Sequence, residues 1–173
     1  MKYKLTKNKK TIGEITLYQI EALKDFSDIK KGDLGGWIEK ESNLSQQGDC
    51  WVSCRARVYG RAMVCDNAQV SGDAWVYGRA MVFDNSQVSG DARVSGNARV
   101  FDNSQVSGNA RVFGNALVYG DARVYGDAWV SGNTRVYGRA RVYGDALVYG
   151  DALVYGDARV YGRAMVCDNA IIN

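Results

Sequence analysis

The chain has 173 residues, a formal net charge of +3, and neither histidine nor proline. Near-balanced charge excludes a strong electrostatic pull toward nucleic acid and an acidic mimic of DNA. No apolar run approaches the ~18 residues of a membrane helix, and the start, "MKYKLTKNKK", is basic with no apolar run behind it, so no secretory leader and no membrane association are read and a cytoplasmic location is expected.

Residues 1–50 read as a small β-rich cap. "KYKLT" and "EITLYQIEAL" alternate like strands, joined by the polar "KNKKTIG"; "KKGDLGGWI" then reads as a turn-rich connection. A compositional border follows. Every lysine lies at or before Lys40, every glutamate at or before Glu41, and every arginine at or after Arg55. An array of repeats exposes strand edges and core at its end, so this segment is expected to cover one such end. Cys50 and Cys54 have the spacing of half a zinc site, but no second half follows. With Cys65 and Cys167 they read as free thiols in a reducing compartment, and no metal or cofactor is expected.

Residues 51–173 obey one rule. From Val52 to Ile172 a β-branched residue returns at every sixth position, 21 times in succession, in units such as "VYGDAR". Within the hexad, small and large residues alternate with the period of a strand, and Gly-Asp or Gly-Asn supplies a corner tolerant of positive φ. A longer period of 18 is superimposed: "CDNAQ" at 65–69 returns as "FDNSQ" at 83–87 and 101–105. Three hexads therefore make one coil. The prediction is an all-β, three-sided parallel β-helix of about seven 18-residue coils, roughly 30–35 Å long at ~4.8 Å per coil, with Val and Ala inside.

These residues resemble the hexapeptide-repeat proteins, whose unit places an aliphatic residue first and a small one fifth; Val and Ala fill those places. The resemblance implies a left-handed β-helix, whereas spacing alone is compatible with either hand. "DIKKGDLGGWIEKESNLSQQGDCWV" (28–52) is similar to the lead-in segment of YdcK-type hexapeptide proteins, the similarity resting on Gly35-Gly36-Trp37 and on Leu44–Trp51. Those proteins are bacterial and prophage-borne. The resemblance thus makes a phage role reasonable, such as inhibition of a host defence complex.

Stacking at 18 residues turns the solvent-facing side chains into columns. The first face carries Gln69, Gln87 and Gln105 beside Ser71, Ser89 and Ser107, and then Arg123/Tyr125, Arg141/Tyr143 and Arg159/Tyr161. Stacked amides could hydrogen-bond along the first half. The second half is an arginine–tyrosine strip that could hold a nucleotide or single-stranded nucleic acid, or form an ordinary β surface whose charge Asp121, Asp127, Asp145 and Asp157 offset. The second face is mixed, with Trp75 and Trp129 as candidate anchors for a protein. The third face is the most apolar. Met81, Phe83, Phe101, Leu117, Tyr119, Tyr137, Leu153 and Tyr155 lie on it, and its five rings should form one stack. A strip this long marks an interface with a protein, or lies partly under the N-terminal segment. At the far end Met165, Cys167, Ile171 and Ile172 are expected to pair two chains into a dimer.

Acyltransferases and carbonic anhydrases of this fold are expected to use histidine, as general base or zinc ligand, and this chain has none. Asp66, Asp84 and Asp102 recur 18 apart but occupy corner positions. Ice binding needs a regular ladder of small residues such as threonine, and Thr134 is the only threonine among the repeats. The expected function is therefore a non-enzymatic, rod-like interaction module with an unidentified protein partner, with nucleic-acid or nucleotide binding second and a degenerate acyltransferase third.

Overall fold

Valine is stiff at χ1 and packs well on a pleated surface, and each hexad uses it as the second residue of a two-residue strand. In the computed structural model, which describes residues 1–173, these strands run from β4 (Trp51–Val52) to β24 (Ile171–Ile172), one every six residues. Strands 18 residues apart pair in parallel and in register, as Val88 does with Val70 and Val106. Three sheets result, two of seven strands and one of ten. The molecule is a three-sided parallel β-solenoid of about eight turns, close to the seven expected. The valines from Val52 to Val154 are fully buried, interleaved with alanines. Where Ser86, Ser104 and Thr134 replace alanine, the buried hydroxyl donates to a carbonyl, for example Ser86 Oγ to Phe83 O at 2.7 Å.

The corners explain the stacked aspartates. Asp66, Asp84 and Asp102 adopt φ of 57–58°, a conformation Asp tolerates better than most residues. Their carboxylates are engaged along the stack: Asp66 Oδ2 accepts from the Asp84 amide at 3.4 Å, Asp84 Oδ2 from the Asp102 amide at 3.3 Å, and Asp102 Oδ2 from the Gly120 amide at 3.0 Å.

The N-terminal segment differs from expectation in two places. The polar "KNKKTIG" is mostly strand: β1 (Tyr3–Ile12) and β2 (Ile15–Ala22) form a hairpin that turns only at Gly13-Glu14. An edge strand facing water accepts lysine and asparagine readily, and such residues guard it against further pairing. The "LGGWI" of the supposed connection is β3 (Leu34–Ile38). It pairs antiparallel with β2 and parallel with β5 (Arg57–Val58), joining the hairpin to the solenoid's second-face sheet. Its glycines serve close approach rather than turning. A Cβ on Gly35 would lie 2.6 Å from Ile20 Cγ1, Trp51 Cζ2 and Val52 O. Tyr3, Ile20, Ile38, Leu44 and Trp51 thereby extend the apolar core beyond the first complete coil.

Candidate binding faces

The third face carries the expected ring stack. Phe83, Phe101, Tyr119, Tyr137 and Tyr155 follow one another at centroid separations of 4.9, 4.9, 4.9 and 5.2 Å, each pair within 9° of parallel. In-register strands bring the rings together, because a parallel ladder places each residue over its equivalent 18 positions earlier. Met81, Leu117 and Leu153 are half-buried beside them, and the charged Arg99 and Arg135 are exposed between. The N-terminal hairpin does not fold over this face. It extends the second-face sheet along the solenoid axis beyond the first coil and pairs with no strand of the third-face sheet, whose rings remain partly exposed.

On the first face Arg123, Arg141 and Arg159 are paired in register and exposed. Tyr125–Tyr143 and Tyr143–Tyr161 stack at 4.9 and 5.5 Å. Two shallow grooves flank the arginine row. One of about 210 Å³ is lined by Gln105, Ser107, Arg123, Tyr125 and Arg141, and one of about 340 Å³ involves Asn103, Asp121 and Arg139. None of the neighbouring aspartates expected to offset the charge makes an ion pair with an arginine of the strip. Asp157 pairs with Arg139 at 2.7 Å, while Asp121 and Asp127 accept from Asn103 and Asn109 along the corners. The expected glutamine ladder is also displaced. Gln69 Nε2 donates to Asp49 O at 3.0 Å, and the stacked amides that do bond are corner asparagines, such as Asn97 to Asn115 and Asn115 to Asn133, each at 2.9 Å. The sequence held that signal in its Gly-Asn repeats, which return 18 residues apart at the corners.

On the second face Trp75 is held between Arg57 and Arg93, with guanidinium-to-ring distances of 4.7 and 5.4 Å. Trp129 is 40% exposed, with Arg111 4.7 Å from its ring. At the last coil Met165 and Ile171 are each 62% exposed, and Cys167 and Ile172 are half-buried beside them.

The cysteines separate into two groups. Cys50 is fully buried, 3.2 Å from Lys2 Nζ, and burial pushes its thiol pKa up. Cys54 stands exposed at a corner with φ 57°, so the half-zinc spacing does not bring two free ligands together. Burial, reinforced by the hydrogen bond to Asp66, pushes the Cys65 thiol up to about 12. Iodoacetamide at pH 8 should therefore alkylate Cys54 rapidly and spare Cys50 and Cys65, as peptide mass spectrometry would report; modification of all three at one rate would contradict this burial pattern. Because the folded Cys65 keeps a proton that the unfolded thiol releases near pH 9, its contribution to stability is intact below pH 9 and declines as pH rises towards 12.

Flat faces, a filled core and coil-to-coil pairing define a solenoid whose chemistry is displayed in columns. Its repeats match the YdcK beta solenoid repeat at nine stretches, most of them overlapping: 56–72, 74–90, 86–100, 92–108, 104–120, 116–132, 134–150, 140–156 and 146–162. These cover more than half of the chain, which belongs to the YdcK beta solenoid repeat family. Over 59 residues, 34% of the chain, it is 39% identical to a protein of Escherichia coli (strain K12) named "Uncharacterized acetyltransferase YdcK", and the match spans 18% of that relative's length.

Proposed function

We propose that this chain is a non-enzymatic interaction rod that docks a protein through its third face. The observation that carries this reading is the ring column from Phe83 to Tyr155, half-buried by its own stacking and left uncovered by the rest of the chain. Rigid aromatics lose little conformational freedom on binding, which suits them to anchor a partner. The resemblance to prophage-borne proteins points to a bacterial protein as that partner, with a component of a host defence complex as the candidate. Self-pairing through Met165, Cys167, Ile171 and Ile172 belongs to the same reading, supported by the exposure of Met165 and Ile171.

A second reading rests on a different observation. Arg123, Arg141 and Arg159 repeat in register, take part in none of the chain's salt bridges, and border two grooves. Aligned cations that make no direct ion pair, with Asp121 the one carboxylate lining the same grooves, suit an anionic ligand such as single-stranded nucleic acid. The relative's name raises acyl transfer as a third reading, for which the chain would need a general base other than histidine.

Affinity capture from bacterial lysate should separate the first two. Phe101→Asp should lose a stoichiometric protein partner that Arg141→Glu retains. If only Arg141→Glu loses binding, and labelled oligonucleotides bind with steep salt dependence, the second reading replaces the first. Coenzyme A binding would favour the third.

A further inference from the structure

The second face contains a column with missing rungs. Its side chains immediately after the buried valines are Tyr59, Tyr77, Ser95, Phe113, Ser131 and Tyr149. Adjacent rings in this column stack as they do elsewhere, Tyr59 on Tyr77 at 5.2 Å and 6°. Ser95 breaks the stack. Tyr77 and Phe113 are left two coils apart, roughly 9.6 Å at ~4.8 Å per coil. The space between them is a cavity of about 190 Å³, lined by Tyr77, Arg93, Ser95, Arg111, Phe113 and Trp129. No matching cavity occurs at Ser131; the other two cavities lie on the first face.

Both arginines at this gap are held in place without being neutralised. Arg93 leans on Trp75 at 5.4 Å and Arg111 on Trp129 at 4.7 Å, while neither takes part in any of the four ion pairs. An anion reaching them would meet two guanidiniums already ordered by aromatic contact, and charge-assisted hydrogen bonds to such donors are the stronger kind. The walls are equally fixed, since Tyr77 and Phe113 are each attached to a paired strand of the solenoid.

We propose that the gap at Ser95 is a binding slot for a small planar aromatic anion. Its ring would take the place of the missing rung between Tyr77 and Phe113, and its phosphate or carboxylate would lie against Arg93 and Arg111. A ring midway would sit about 4.8 Å from each wall, similar to the 4.9–5.5 Å between the protein's own stacked rings. Little ordering would accompany binding, because walls and cations are pre-set. This site is on a different face from the proposed docking column and does not depend on it.

Calorimetric titration with two probes tests the slot: AMP for the phosphate arm and indole-3-carboxylate for the carboxylate arm. Adenosine, indole and inorganic phosphate serve as partial ligands. At least one anion should bind saturably, about tenfold tighter than its neutral counterpart, with phosphate alone weaker still. Ser95→Tyr restores the missing rung with the protein's own ring. It should reduce that binding at least tenfold while leaving the thermal midpoint unchanged or raised. Ser131→Tyr should leave binding intact, and Arg93→Gln should weaken it about tenfold. Absence of saturable binding by both anions at millimolar concentration would overturn the proposal, as would a folded Ser95→Tyr protein that binds like the parent.

Discussion

Val106→Asp is expected to lower the stability of the solenoid by at least ~4 kcal/mol. Val106 has no exposed surface, lies between Val88 and Val124 in the stack, and faces a core of valine and alanine. Loss of its apolar contacts alone accounts for about 1.5–3 kcal/mol. The carboxylate adds the penalty of a buried polar group without a partner, even if it becomes protonated to escape charge burial. Each coil is held mainly by its immediate neighbours, so damage at one coil weakens pairing on both sides. Gln105, one residue earlier, has its side chain on the outer face. Gln105→Asp should change stability by no more than about 0.5 kcal/mol. Urea unfolding followed by circular dichroism measures both. Equal, small effects from the two variants would mean that the valine face is not the inside.

Lys2→Ala is expected to release the N-terminal cap at a loss of about 3 kcal/mol. The Lys2 side chain is buried, and its ammonium donates to Cys50 O at 2.8 Å, Gly48 O at 3.1 Å and Gln47 O at 3.3 Å. It also lies 5.2 Å from the centre of the Phe26 ring. One cation thus ties the first strand to the loop leading into Trp51. Its removal leaves carbonyls without their donor and a void where the stem ran. Lys2→Met keeps the stem and should retain part of the stability, which separates packing from hydrogen bonding. Hydrogen exchange should report the loss as faster exchange in residues 34–52, with slow exchange preserved in the middle coils. Unchanged protection in that segment would show that the ammonium is dispensable.

Much of the molecule was legible because its repeats are local statements made many times. The six-residue return of valine predicted which side chains would be buried, and the 18-residue return predicted which would stack. The Phe83–Tyr155 column follows directly from the two. Asp66, Asp84 and Asp102 were likewise readable as corner residues, since their positive φ matches a preference of the residue type itself.

The first 50 residues resisted for the opposite reason. No period constrains them, so the polar run Lys7–Thr11 looked like a linker although it completes an edge strand, and Gly35-Gly36 looked like a turn although it is a strand thinned to admit Ile20, Trp51 and Val52. Lys2 read only as part of a basic start, but its partners lie 45 to 48 residues away and only the folded cap assembles them. The sequence by itself determined the solenoid, its inside and outside, and its columns, because a parallel in-register ladder converts spacing into position. Only the tertiary structure decided how the end is sealed, because that depends on contacts between segments that share no period, and which stacked side chains bond along the corners and where a column opens into a cavity, because spacing sets which residues stack but not their rotamers or the room between them.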